Sequence, residues 1–138
     1  MAQNDQIVIF GLNAQHYALP ISNVSEIIRV MEITEVPNMN FFYKGIINLR
    51  GSIVPVISSN LRLGLEEHEL SKDSRIIVVE QNGEKLGLTV DSVYAVSQFS
   101  PEQVEESDSV SGKDQFIKGV IHQDNSMILL LDLDRMTA

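Results

Sequence analysis

The chain has 138 residues, 43% of them apolar, with no cysteine and no tryptophan. That length fits one ordinary domain with an aliphatic core; disulfides and thiol chemistry are excluded, and a zinc site would have to rest on His and carboxylates alone. A net charge of −9, with only ten basic residues scattered along the chain, argues against nucleic acid or an anionic membrane as a partner, since both need clustered Lys and Arg.

The opening stretch Met1-Ala2-Gln3-Asn4-Asp5 carries no basic segment and no long apolar run, so no signal peptide is expected. Gln6–Asn13 and Gln15–Pro20 read as a hairpin turned at Asn13-Ala14. Val24–Val36 is apolar and β-branched enough for a strand, its first half open to a helical turn. Pro37-Asn38 breaks the chain, and Asn38–Tyr43 is expected to form a short helical turn capped by Asn38. An apolar strand from Gly45 to Leu49 then ends in Arg50-Gly51. Ser52–Ile57 is a strand whose Pro55 points to an edge position or a bulge. Ser58–Leu63 predicts one or two helical turns closed by Gly64, and Glu66–Ser74 reads as a charged loop.

Arg75–Gln81 and Lys85–Val90 form a second expected hairpin around Asn82-Gly83, a strong turn dipeptide. Ser100-Pro101-Glu102-Gln103 fits a capping box with Pro at the first helical position. Glu105–Asp114 is polar and reads as a mobile loop. Ile117–Ile121 and Met127–Leu133 close the sheet system. Met127–Leu131 is the longest apolar run, far short of the roughly 20 residues that cross a bilayer, so a cytoplasmic protein without direct membrane insertion is expected. No sustained 3.6-residue period occurs; many short strands with frequent turns predict an all-β fold of small barrels with a few short helical turns.

The chain also reads twice. Ile7–Ile27 sets over Ile76–Val96 without a gap: Ile7 meets Ile76, Asn13 meets Asn82, Leu19 meets Leu88 and Val24 meets Val93. Phe42–Ile57 sets over Phe116–Leu131, with Phe42, Lys44, Gly45 and Ser52 meeting Phe116, Lys118, Gly119 and Ser126. A period of about 70 residues is too long for a solenoid repeat. It predicts one domain over 1–138 made of two similar halves, about 7–61 and 76–135, packed along a seam and open to exchanging strands.

Catalytic signatures are absent from the sequence. His16, His68 and His122 stand in unrelated contexts and read as surface or turn residues, so no metal or cofactor is expected. There is no nucleophile elbow, P-loop or dinucleotide fingerprint. Glu102, Glu105, Glu106 and Asp108 read as solvated charge, because acid–base chemistry needs convergence in a pocket. Binding remains. Arg50 meets Asp124 in the repeat, so the second half keeps the strand and drops the cation. Arg50 is therefore either a turn residue paired to a nearby carboxylate or an anchor for a partner, a role that suits its rigid fork of donors.

At these residues the chain resembles the CheW family of chemotaxis coupling proteins. The resemblance rests on Tyr17-Ala18-Leu19-Pro20, Val24-x-Glu26-Ile27, Ile33-Thr34-x-Val36-Pro37-Asn38 and, above all, the run from Lys44-Gly45-Ile46-Ile47-Asn48-Leu49-Arg50-Gly51 to Pro55-Val56-Ile57. It continues through Arg75–Glu80, Gly87–Asp91, Phe116–Gly119 and Leu131–Asp134. It implies two five-stranded SH3-like barrels packed side by side. It also implies a non-enzymatic adaptor that joins the cytoplasmic hairpin tip of chemoreceptors to the regulatory SH3-like domain of the histidine kinase CheA, recruited to receptor arrays at the inner membrane face. By matching position, the receptor surface would include Val24, Glu26, Ile27, Gly45, Arg50, Gly87, Val93 and Val96. An apolar stripe of the receptor helix would lie on Val24, Ile27 and Val93, with Arg50 and Glu26 setting polar register.

Val24, Val93 and Val96 are equally open to a core role, Glu26 to that of an ordinary strand residue, and Gly45 to a backbone requirement. Kinase contacts would use the barrel ends, with Gln103, Val104, Glu105 and Glu106 as candidates. Ser58-Ser59-Asn60 replaces the Asp-Leu-Arg common in the family, and Glu105–Gly112 lacks its usual prolines. Two alternatives stand beside this reading: the coupling protein of a parallel chemosensory pathway, such as one driving pili, and a generic SH3-like peptide-binding module. The latter needs an aromatic-lined groove, and the absence of Trp counts against it.

Overall fold

The computed structural model describes residues 6–106, 115–123 and 125–137. The first hairpin comprises β1 (Gln6–Leu12) and β2 (Gln15–Pro20), followed by a 3₁₀ turn at Ile21–Asn23 and β3 (Val24–Arg29). A second hairpin, β4 (Tyr43–Leu49) and β5 (Ser52–Ser58), leads into α1 (Ser59–Arg62). Then come β6 (Arg75–Gln81), β7 (Glu84–Val90), β8 (Ser92–Gln98), a 3₁₀ turn at Pro101–Gln103 and β9 (Val104–Glu106). The chain closes with β10 (Ile117–Gln123), β11 (Ser126–Leu131) and α2 (Leu133–Met136).

Tight turns follow from left-handed residues placed where the hairpins reverse. Asn13 and Ala14 lie at φ 51° and 70°, Asn82 and Gly83 at 53° and 82°, and Arg50 and Gly51 at 51° and 89°. Positive φ at both central residues is the turn whose twist matches flanking strands.

Two sheets result, one ordered β8-β1-β2-β11-β10-β9 and the other β3-β6-β7-β5-β4. In each, a hairpin from one part of the chain is flanked by strands from the other. Parallel pairing of β2 with β11 and of β5 with β7 makes the joints. Each sheet curls until its ends approach. In the first, Gln123 on β10 donates from Nε2 to the Gln98 carbonyl on β8 at 2.7 Å. In the second, Arg50 beyond β4 pairs with Glu26 on β3.

The six-stranded sheet has one strand more than the five expected. Its additional member, β9, pairs with β10, whereas in the other sheet the corresponding contact shrinks to a single bridge between Thr34 and Ile46.

Strand alternation builds three cores. Ile7, Ile9, Ala18, Ile121, Ile128 and Leu130 fill the first curl. Ile47, Leu49, Val54, Val56, Ile76 and Val78 fill the second. The opposite faces of the same strands carry Val8, Phe10, Leu12, Leu19, Ile77, Val79, Leu88 and Val90, which meet between the sheets in the largest core. The runs Ile7–Phe10 and Ile76–Val79 are buried on both faces, which is why they read as unbroken apolar segments. Arg62 closes the inter-sheet core. Its guanidinium lies 4.5 Å from the Phe42 ring and 4.7 Å from the Phe116 ring, and its Nε donates to the Met136 carbonyl at 2.6 Å.

Several local expectations change. Asn38 sits at φ 69° and caps no helix; residues 37–38 and 41–42 form separate turns with irregular backbone between them, because a left-handed residue cannot be the extended N-cap. Regular strand ends at Arg29 rather than Val36. Pro55 lies in an interior strand, yet β7 begins pairing with β5 only at Val56, so the missing N–H faces no ladder. Leu133 starts α2 instead of ending a strand, with the Asp132 carboxylate accepting from the Arg135 N–H. Glu105 and Glu106 belong to β9, while most of the expected loop after them, like Asp124, lies outside the described residues.

Candidate functional site

Glu26 sits on β3 and Arg50 in the turn after β4, at opposite ends of the five-stranded order. Curling brings them together: Arg50 Nη2 donates to Glu26 Oε2. The turn is braced by Asn48, whose Oδ1 accepts the Gly51 N–H at 2.9 Å. The Arg50 side chain stays 66% exposed, so the pairing does not use up its donors. It pairs with a carboxylate, and most of its fork still faces outward. An exposed pair of this kind contributes about 0–1 kcal/mol to stability.

β3 and β8 are edge strands, each with a bulge that leaves one residue out of register, Ser25 in β3 and Tyr94 in β8. Val24 and Val93 are half-buried and pack against the inter-sheet core. Ile27 and Val96 point outward, 37% and 51% exposed. Of the apolar candidates, therefore, two are anchored in the fold and two are free to meet a partner. Gly45 and Gly87 are buried and present no surface. Gly45 has φ +141°, and a Cβ there would lie 2.1 Å from the Thr34 carbonyl oxygen. A Cβ on Gly87 would lie 2.9 Å from Ile76 Cγ2. Both glycines serve close backbone packing, the alternative left open for Gly45 in the sequence.

Tyr94 escaped the sequence reading. The bulge re-aims it, so that its ring lies over Gly11, where a Cβ would come within 2.9 Å of Tyr94 Cε2. The His16 ring packs against it at 4.3 Å. A mid-strand glycine opposite the one aromatic of β8 was the available signal. His122 is an exposed strand residue, in keeping with a surface role, while His16 is half-buried on β2.

Among the kinase-side candidates, Gln103 caps its own turn, its Oε1 accepting the Ser100 N–H at 2.9 Å. Val104 packs against the core of the six-stranded sheet. Glu105 is exposed, 3.0 Å from His122 Nε2, and Glu106 pairs with Gly119 across β9 and β10. Gln103 and Val104 are committed to the fold, which leaves Glu105 as the outward group whose side chain is described. No three His, Asp or Glu side chains converge among the described residues, and no described helix is long and apolar enough to cross a membrane. The geometry offers shallow surfaces and outward side chains, the equipment of a binding protein.

A CheW-like domain model matches residues 6–138. The chain belongs to the CheW family. The chemotaxis protein CheW of Thermotoga maritima is 31% identical, over 95% of this chain and 86% of its own length. CheW of Bacillus subtilis is 28% identical, over 93% and 83%. The crystal structure of the scaffolding protein TtCheW from Thermoanaerobacter tengcongensis superposes with a TM-score of 0.88 at 38% identity, covering 94% of this chain and 90% of that one. Protein PilI of Pseudomonas aeruginosa is 27% identical over 87% of this chain and 68% of its own length. In this chain, the fold carries an exposed Arg50–Glu26 pair and two bulged edge strands.

Proposed function

We propose that this chain is the non-catalytic adaptor that couples chemoreceptors to the histidine kinase CheA, working as one domain over 1–138 with two pseudo-repeated halves. What carries the reading is the continuous match, from Gln6 onward, to a chemotaxis scaffold family. On the receptor side, Arg50 and Glu26 give polar register to a helical hairpin tip, and Ile27 and Val96 meet its apolar stripe. Val24 and Val93 support that surface from below. On the kinase side the barrel ends dock the regulatory SH3-like domain of CheA, with Glu105 outward. Binding to both partners would hold this protein in the cytoplasm at the inner face of the membrane. The likeness to PilI supports a second reading, in which the same geometry serves a parallel chemosensory pathway.

Titration with a receptor cytoplasmic fragment and with CheA tests the proposal, and binding to neither would end it. Arg50→Ala should weaken receptor binding by about tenfold, as loss of a hot-spot Arg does. Its melting temperature should barely move, since the Glu26 pair is exposed. A large fall in melting temperature with binding intact would make Arg50 structural.

A further inference from the structure

The basic residues that look scattered in the sequence are partly gathered by the fold. Arg29 at the end of β3 stands directly opposite Arg75 at the start of β6, and Lys72 lies in the loop that feeds β6. With Ser71, Asp73 and Val30 they line a groove of about 400 Å³. Like charges directly opposed across two strands are destabilising. Among the described residues none of the three cations enters an ion pair, in a chain holding 19 acidic residues against 10 basic ones.

The other sheet shows that the fold does not demand this charge. There the corresponding positions are Gln6 and Gln98, paired in the same way across β1 and β8. The loop is also prearranged. Ser74 Oγ accepts the Ser71 N–H at 2.9 Å, and Ser71 Oγ accepts the Asp73 N–H at 3.2 Å. Arg75 Nη1 donates to the Lys72 and Ser74 carbonyls at 2.8 and 2.7 Å. That guanidinium is therefore aimed before any partner arrives, its Nε and Nη2 hydrogens unpaired among the described residues. Asp73 is the acid on the groove lining, and three cations outweigh it.

We infer that Arg29, Lys72 and Arg75 form a docking site for a short acidic segment of a partner protein. Fixed guanidinium forks suit carboxylates at close spacing. An extended polyanion such as nucleic acid or a membrane surface would meet the repulsion of the whole acidic chain. The inference does not rest on the adaptor reading.

The test uses the full chain, a hexaglutamate peptide, inorganic phosphate and phosphatidylglycerol vesicles, with amide NMR shifts as readout at low salt. Hexaglutamate should shift the amides of Arg29 and Lys72–Arg75. The double variant R29Q/R75Q, which recreates the Gln pair of the other sheet, should weaken that binding by about tenfold while its melting temperature holds or rises. Lys85→Gln, a control far from the groove, should leave binding unchanged. Shifts elsewhere, undiminished binding in R29Q/R75Q, or binding of phosphate or vesicles in preference to the peptide would each overturn the proposal.

Discussion

After β5 the chain turns through Ser58-Ser59-Asn60 into α1, and after β11 it turns through Asp132-Leu133-Asp134 into α2. Both corners are anchored alike: the Ser58 N–H donates to the Phe42 carbonyl and the Asp132 N–H to the Phe116 carbonyl, each at 2.8 Å. Both helices are capped by the first residue, Ser58 accepting from the Leu61 N–H and Asp132 from the Arg135 N–H. The second position differs. Leu133 belongs to the inter-sheet core, whereas Ser59, equally buried, leaves its hydroxyl without a partner among the described residues. A cap needs only an oxygen in the right place, so Ser substitutes for Asp there. A core position needs volume without polarity, and Ser supplies neither. The family's usual acid is thus dispensable at this corner, and the cost of the exchange falls on packing.

The widest contrast between the two halves lies at Gly45 and its counterpart Gly119. Gly45→Ala drives a Cβ into the Thr34 carbonyl at a left-handed φ and should cost about 4 kcal/mol or more, or prevent folding. Gly119→Ala meets its nearest neighbours at 3.2 and 3.3 Å and should cost about 1 kcal/mol; urea denaturation of both variants compares them. Equal losses would break the contrast. At the corners, Leu133→Ala should lose about 3 kcal/mol, while Ser59→Ala, which removes an orphaned hydroxyl, should gain about 1 kcal/mol. If Ser59→Ala destabilises, its oxygen has a partner after all.

The caps should match more closely. Ser58→Ala and Asp132→Ala are each expected to lower stability by about 1 kcal/mol, measured by the same unfolding curves. Tyr17 provides the smallest test. It packs in the inter-sheet core where its counterpart is Leu86, and burial pushes its phenol pKa up. The folded state holds the neutral form more tightly than the unfolded chain does. Stability from this group is therefore complete below about pH 10 and falls as pH rises through the folded value. Tyr17→Phe should flatten that alkaline decline in thermal melts.

The hairpins were legible because Asn13-Ala14 and Asn82-Gly83 are chemically suited to left-handed turns. The doubly buried strands were legible because Ile7–Phe10 and Ile76–Val79 leave no polar face. Which sheet each hairpin joins was not, since parallel pairing of β2 with β11 depends on contacts more than a hundred residues apart, such as Tyr17 with Leu129. The bulge at Ser25 carries no residue signature and that at Tyr94 only the indirect one of Gly11 beneath its ring, so the exposure of their neighbours stayed hidden. For the candidate site, the repeat singled out Arg50 and the family resemblance Glu26, but neither could tell a contact glycine from a packing glycine. Gly45 and Gly87 became distinguishable only when Thr34 and Ile76 were found against them. The clustering of Arg29 and Arg75 was invisible for a similar reason, because strand register alone makes them neighbours.

The parallel joints have a topological consequence. Each sheet needs strands from both sides of the loop at Glu66–Ser74, and β1 and β2 have their outer neighbours, β8 and β11, only in the later part of the chain. A protease nick in that loop would therefore yield two interlocked fragments rather than two domains, held together as a noncovalent whole until the entire structure melts.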